Sequence, residues 1–596
     1  MKNETPHRLS LYRALMEKHG VAAAIVPQAD PHMSEYLASH WQVRRWLSGF
    51  TGSAGDLVVT ADSAALWTDS RYFLQAAAQL EGSGIELMKD GLGDTPTIAD
   101  YLCGMLRKGD TVGIDGMLFA KPAVDVLRKA LDAKGIKLVT DFDVIDEIWT
   151  DRPAMPSDKI YLHSEKYAGE STASKIDRIL ADAAAADCTA VLQSDLGDIA
   201  WTLNIRSNDV RYTPVASAFT FLTPDSRTLF TDEAKLTDEV RAYLAANKIE
   251  VKGYNDIKAF LDALPQDLRV LVNSAATAAE ISNILGTRAV DGGVTAAARF
   301  KSVKNDTQIA CVRRVMERDG VALVRAFMEL ENRMAKGIHT TEMDVDALLH
   351  KYRSQGENFK DLSFGTIAGY GPHGAIVHYE ADEESNSTLE PHGLLLIDSG
   401  AQYTDGTTDI TRTISLGTPT ADEREHFTLV MKGHIALAQA VFPTGTRGAQ
   451  LDALARQFLW KHGLNYLHGT GHGVGFFLSV HEGPHSIRLN NVEAPLRAGS
   501  ITSNEPGVYL AGVHGIRCEN LVLCRPCMTT DFGTFLHFET LTLFPFDLTL
   551  FDTALMTDDE IAWLNAYHDE VRRRLSPYLN AEERAWLEAK TEKLTR

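Results

Sequence analysis

The sequence predicts an α/β (α+β) chain: two similar α/β domains followed by a larger domain that carries the chemistry. Three observations predict it. At 596 residues the chain is too long for one hydrophobic core. Two twelve-residue segments, VVTADSAALWTD (58–69) and FLTPDSRTLFTD (221–232), agree at six positions and sit in similar surroundings. Beyond residue 358, glycines, histidines and acids concentrate.

Each repeated segment reads as a strand, an Asp-Ser turn and a second strand, which is a hairpin. Upstream of each, LYRALMEKHGVAAAIV and IDRILADAAAADCTAVL read as an amphipathic helix running into a short apolar strand. Downstream, TVGIDG with a helix near Ala123–Lys134 parallels RVLVNS with a helix over Ala275–Leu285. Such repetition predicts domains over residues 1–155 and 156–303, with the Pro-containing TDRPAMPSDK (150–159) as their seam and a third domain over 304–596. GFTGSAGD (49–56) has no GK[ST] ending, so it reads as a turn feeding the strand DLVVT, not as a phosphate loop. The third domain opens on KNDTQIACVRRVMERDGVALVRAFMELENRM, whose helical spacing predicts long helices packed on a sheet. Past Phe535 the text turns apolar and aromatic, then ends in charged helices.

A net charge of −21 argues against a nucleic-acid partner, which requires a basic footprint. With no apolar segment of membrane-spanning length and no secretory-type leader, the expectation is a cytoplasmic protein without a membrane partner. Six cysteines make no disulfide framework, and the Cys524-Arg-Pro-Cys527 pair, which follows a strand-like ENLVL, reads as structural.

Within the third domain the acids and histidines that stand out are Asp398, Asp409, His378, the His468-Gly-Thr-Gly-His472 run, His481, Glu505 and Glu519. Two aspartates, two glutamates and one histidine make a hard, oxygen-rich donor set, suited to Mn²⁺, Co²⁺ or Zn²⁺. Four carboxylates at one spot would raise one another's pKa unless cations intervened. Two divalent ions about 3.5–4 Å apart would neutralise them, so the set points to a dinuclear site if the fold brings it together. His468 and His472 have the i, i+4 spacing of a helical zinc pair, but the Gly-Thr-Gly between them disfavours a helix and the HExxH glutamate is missing. Asp405, in an Asp-Gly dipeptide, reads as a turn residue. Pairing Asp398 with Asp409 across a hairpin would then require a longer or bulged loop.

With these residues in place the chain resembles the pita-bread metallopeptidases, and within them the long aminopeptidase P (Xaa-Pro aminopeptidase) group. DPHMSEYLASHWQVRRWLSGFTGSAGDLVVT, SEKYAGESTASKIDRI and TLTLFPFDLTLFDTALMTDDEIAWLN carry the resemblance beside the five acid and histidine positions. It implies that Asp398, Asp409, His472, Glu505 and Glu519 bind two divalent ions per subunit, Mn²⁺ before Co²⁺ or Zn²⁺, with Asp409 and Glu519 bridging. It implies Glu505 as general base toward a metal-bridging hydroxide, with His378, His468 and His481 on the catalytic and substrate side. Arg517 matches a basic residue beside the last ligand that contacts substrate or supports a ligand carboxylate. The expected reaction is removal of the N-terminal residue from peptides with proline second, by a homodimer. A prolidase acting on Xaa-Pro dipeptides, a creatinase-like amidinohydrolase and a non-catalytic pita-bread binding module remain alternatives.

Overall fold

The structure, a computed structural model, describes residues 4–596. They fall into two compact units, one running through Glu165 and resuming over Glu170–Ala298, the other Lys166–Gly169 with Arg299–Arg596.

The first unit contains two six-stranded sheets of one design. The first has the order Glu86–Lys89, Ala64–Thr68, Asp56–Thr60, Ala23–Val26, Thr111–Gly113, Lys137–Val139. The second has the order Ile249–Lys252, Arg227–Phe230, Phe219–Leu222, Ala190–Gln193, Val270–Val272, Ala289–Asp291. Parallel and antiparallel pairings correspond strand for strand. The repeated segments form the expected hairpins. Ala23–Val26 and Ala190–Gln193 are buried at every position, as suits strands covered on both faces. The helix expected from Ala275 begins only at Ala279, because Asn273 first caps a 3₁₀ turn over Ser274–Ala276.

The second unit starts with one continuous helix of 30 residues, Asp306–Ala335, opened by a reciprocal Asn305/Gln308 capping box. Its buried face includes Val312, Val315, Met316, Leu323, Val324 and Phe327. The core also takes in Leu394, Leu395 and Ile397, helix Ala421–Ala438, and Leu521 and Leu523. Strand Leu394–Ser399 lies between Ile367–Tyr370 and Ile410–Ser415. A second sheet has the order Val441–Pro443, Gly533–Thr540, Asn520–Thr530, Ile501–Asn504. The aromatic C-terminal stretch wraps onto this core: Phe544, Phe546, Leu550 and Phe551 are buried ahead of the helices Asp558–Leu575 and Ala581–Lys590. On strand Asn520–Thr530, Cys524 is buried and Cys527 exposed, and neither is in a disulfide. Among the described residues no helix is long and apolar enough to cross a membrane.

Candidate metal centre

The site is built on the hairpin that follows Leu394–Ser399. Asp398 pairs with Thr411 and Ser399 with Ile410; farther out, Gln402 pairs with Thr407 and Tyr403 with Gly406. All four pairs share one register, which leaves a two-residue turn at Thr404–Asp405. The longer or bulged loop expected from direct pairing of the acids is therefore not what forms. The ladder is interrupted only near Gly400, where Thr408 Oγ1 accepts from the Ala401 amide. A Cβ at Gly400 would overlap Thr408 O and Ser363 Oγ, so this crossing tolerates no side chain. The acids need not face each other directly. Because Asp398 stands opposite Thr411, Asp409 is its diagonal neighbour on the same face, an arrangement that leaves room between the two carboxyl groups. Asp405 belongs to the turn but is buried, with both carboxylate oxygens 3.0 Å from the Arg318 guanidinium.

Three further elements deliver the remaining candidates. His472 lies on the short strand Gly471–His472, Glu505 follows strand Ile501–Asn504, and Glu519 follows strand His514–Arg517. A Cβ at Gly471 would overlap the Ser503 carbonyl, so a glycine of the HGTGH run serves close backbone contact, not a helix or a phosphate loop. Ligand atoms of Asp409, His472 and Glu519 lie within 4.8 Å of one another. His472 Nε2 is 3.4 Å from Asp409 Oδ2 and 3.5 Å from Glu505 Oε1. The other ring nitrogen, Nδ1, donates to the Gly473 carbonyl at 2.9 Å, so Nε2 faces the carboxylates and presents its lone pair to them once it loses its proton.

Such a cluster is not self-compensating. Burial first, then the neighbouring carboxylates, pushes Glu519 well above the usual carboxylate range. Burial likewise raises Asp398 against the pull of Arg517, and lifts Glu505 to about 7. Burial alone would lower His472, but its bond to Asp409 and the charge of Glu505 hold it at about 9. Asp398 Oδ1 and Glu519 Oε1 are buried without a hydrogen-bond partner, each beside a sister oxygen that has one. Orphaned carboxylate oxygens, a presented imidazole lone pair and mutual repulsion fit divalent cations.

These shifts carry a testable sign. At pH 7 the metal-free site retains a proton on His472, which must leave when Nε2 becomes a ligand. Metal binding is expected to release at least one proton, and apparent affinity to rise with pH toward about 9. Calorimetric titration with Mn²⁺ in two buffers of different ionisation enthalpy measures this; identical heats in both would refute it.

The substrate-side candidates take distinct places. The His481 ring meets that of His472 edge-on, centroids 4.4 Å apart. His468 Nδ1 donates to the Gly469 carbonyl at 2.7 Å, leaving Nε2 to accept from Tyr509 OH at 2.8 Å. His378 stands half-buried in the loop after the 3₁₀ turn Gly371–Ala375. Arg517 is 1% exposed and committed to the protein: it donates to Asp398 Oδ2 at 2.6 and 3.2 Å, to Tyr509 at 2.8 Å and to Thr411 at 3.2 Å. These bonds hold it as a partner of the Asp398 carboxylate.

Several participants were missed in the sequence. Thr411, whose Oγ1 donates to Glu519 at 2.8 Å, could have been found, because residues 409, 411 and 413 share a strand face. Arg412 gave no such signal, since it points the other way. It donates to Glu519 O and Phe544 O (2.6 Å each), Asn520 Oδ1 (2.8 Å), Thr411 O (2.9 Å), Tyr567 OH (3.0 Å) and Pro545 O (3.1 Å). Asp452 and Arg456, a buried pair one helical turn apart, hold Thr470 and the Tyr466 and His468 carbonyls.

Comparison with known proteins gives the same address. The model of metallopeptidase family M24 matches residues 310–526, and that of the C-terminal region of the same peptidases matches 534–594. The creatinase/prolidase N-terminal domain matches twice, over residues 8–148 and 151–308. A probable Xaa-Pro aminopeptidase P from Sordaria macrospora is 41% identical, over 98% of this chain and 98% of its own. An aminopeptidase P2 from Arabidopsis thaliana is 43% identical, over 96% of this chain and 86% of its own. The crystal structure of an X-prolyl aminopeptidase from Caenorhabditis elegans, described as a cytosolic enzyme with a di-nuclear active site, superposes with a TM-score of 0.96 at 33% identity, covering 100% of both chains. With the hairpin acids, the imidazole and the two later glutamates gathered as described, the chain belongs to the Xaa-Pro aminopeptidase (aminopeptidase P) family of M24 metallopeptidases.

Proposed function

We propose that this protein is a metal-dependent aminopeptidase that releases the N-terminal residue from peptides with proline at the second position. The observation that carries the reading is the gathering of buried Asp409 and Glu519 with half-buried His472 in one cluster, with Glu505 and Asp398 against it, in a chain of this family. These five residues would hold two divalent ions, Asp409 and Glu519 serving both. When bound, the ions supply Lewis acidity and make water a competent nucleophile near neutral pH. We assign Mn²⁺ on the oxygen-rich donor set, and a cytoplasmic homodimer on the family resemblance.

The chain's own groups supply the rest. An Xaa-Pro bond is a tertiary amide without an N–H, so recognition cannot rely on that donor. Its nitrogen must also be protonated as the C–N bond breaks. We assign to Glu505 the transfer of a proton from the attacking water to the proline nitrogen, on its position at the edge of the cluster, 3.5 Å from His472 Nε2. His481 or His378 is assigned to donate to the oxyanion that develops on the carbonyl, and His468, bonded to Tyr509, to line the substrate side. Arg517 positions Asp398.

The test is hydrolysis of Xaa-Pro-Yaa tripeptides and Xaa-Pro dipeptides, before and after chelation and with Mn²⁺ restored. Metal-dependent release of the first residue from the tripeptide is expected. Cleavage confined to dipeptides would make the protein a prolidase, and no cleavage of either would overturn the reading.

A further inference from the structure

We infer that Glu342 is a positioning residue for His378, acting as a buried anchor for the loop that carries it. The inference rests on the role proposed for His378 above. Glu342 is the first residue of helix Glu342–Arg353, and its side chain is fully buried. All its recorded partners lie between residues 370 and 387, and they approach it from both sides of His378. The Tyr370 amide donates to Oε1 at 2.8 Å, and His373 Nδ1 to Oε1 at 2.9 Å. The Tyr379 hydroxyl and the Ser387 amide each donate to Oε2 at 2.8 Å. Two of these donors are backbone amides, so the carboxylate fixes main chain on either side of the loop, and the Tyr379 bond falls one residue from His378.

The loop so held is directed at the metal centre. Tyr379 is buried with Ile367 and Leu396, and Ile376 and Tyr509 pack against that small cluster. Leu396 lies on the strand that ends in Asp398 and Ser399, and the Tyr509 hydroxyl bonds both His468 and Arg517. The turn Gly371–Ala375 packs on strand His514–Arg517. The segment that carries His378 is thereby held between the Glu342 anchor and the strands that frame the candidate ligands. Capping alone does not account for Glu342: the helix already has its cap in Thr341, whose Oγ1 accepts from the Asp344 amide. A buried carboxylate that accepts four hydrogen bonds is retained where its geometry matters, because a neutral side chain would leave some of the donors unmet.

The experiment is a double-mutant cycle on the metal-loaded protein. Glu342→Gln keeps shape and removes charge; Tyr379→Phe removes only the hydroxyl that reaches Glu342 Oε2 and the Ser385 carbonyl, and serves if Glu342→Gln does not fold. Either variant is expected to lose about tenfold in kcat with Mn²⁺ content unchanged. Combined with His378→Ala, it is expected to lose no more than His378→Ala alone, because the anchor acts only through that ring. Losses that multiply in the double variant, wild-type kcat in both anchor variants, or loss of bound metal would overturn the assignment. If the wild-type protein itself releases no N-terminal residue, the activity reading is what fails. The anchor is then judged by NMR of ¹³C-labelled histidine: the His378 signal, identified by its disappearance in His378→Ala, must shift in Glu342→Gln, and an unmoved signal refutes the anchor.

Discussion

Asp409→Asn is expected to abolish turnover while leaving the fold intact. Asp409 lies at the centre of the cluster: it approaches His472 Nε2 to 3.4 Å, and after burial it is the largest influence raising Glu519. An amide keeps the shape but removes the charge and one acceptor oxygen. Loss of the bridging ligand proposed here would forfeit several kcal/mol of transition-state stabilisation, so a fall of roughly 10³-fold or more in kcat/KM is expected, each 1.36 kcal/mol being about tenfold. The fold should tolerate it for the same reason the site needs cations: without metal, one buried carboxylate fewer relieves repulsion. The thermal midpoint of metal-free Asp409→Asn should therefore match or exceed that of the metal-free wild type. Added Mn²⁺ should raise the midpoint of the wild type far more than that of the variant. Retained turnover, or equal stabilisation of both by Mn²⁺, would exclude Asp409 as a ligand.

Arg412→Met should have the opposite profile, with stability failing first. The side chain is 2% exposed and satisfies four backbone carbonyls, from Thr411, Glu519, Phe544 and Pro545, along with Asn520 and Tyr567. Its guanidinium also lies 3.9 Å from the Phe546 ring centroid. Methionine fills much of the volume but removes every one of those donors; Thr411 O still accepts from the Glu519 amide and Phe544 O from Tyr567, whereas the Glu519 and Pro545 carbonyls lose the arginine that serves them, and each buried group left unmet costs about 1–3 kcal/mol. Some relaxation will occur, so the expected loss is about 3–5 kcal/mol, measured by urea denaturation of the metal-free protein. Arg412→Lys should recover only part of it, since an ammonium cannot span acceptors arranged around a planar fork. A change below 1 kcal/mol for Arg412→Met would contradict the role given to this residue. The bonds to Thr411 O and Glu519 O tie the ligand strands to the apolar C-terminal stretch, so weakened Mn²⁺ affinity should accompany the loss of stability.

Much of this was legible in the residues. The repeated VVTADSAALWTD and FLTPDSRTLFTD predicted two sheets of one topology because a hairpin is local: its turn and its alternation are written within a dozen positions. The five ligand candidates were legible because carboxylates beside apolar strands are conspicuous. What the sequence could not supply was contact between distant segments. The Asp405–Arg318 pair joins residues 87 apart, so Asp405 read as a turn acid when it is also a buried anchor. The hairpin register was misjudged because direct pairing of Asp398 with Asp409 was assumed, whereas diagonal placement on one face lets the acids converge across an ordinary two-residue turn. Glu342 gave no signal at all, since its partners are backbone amides and side chains in a loop some 30–45 residues later.

That two-residue turn has a consequence for which parts of the chain can change length. Hairpin tips are ordinarily where insertions are accepted, because nothing beyond them depends on the count. At Thr404–Asp405 the count matters: one added or deleted residue would send the Asp409 side chain to the opposite face of its strand, away from His472 and Glu519. The tip at Asp531–Phe532 is different, for Glu519 precedes it and Phe532 is 91% exposed. A tag or loop graft belongs at the second tip; at the first, the reading frame of the hairpin is the spacing of the site.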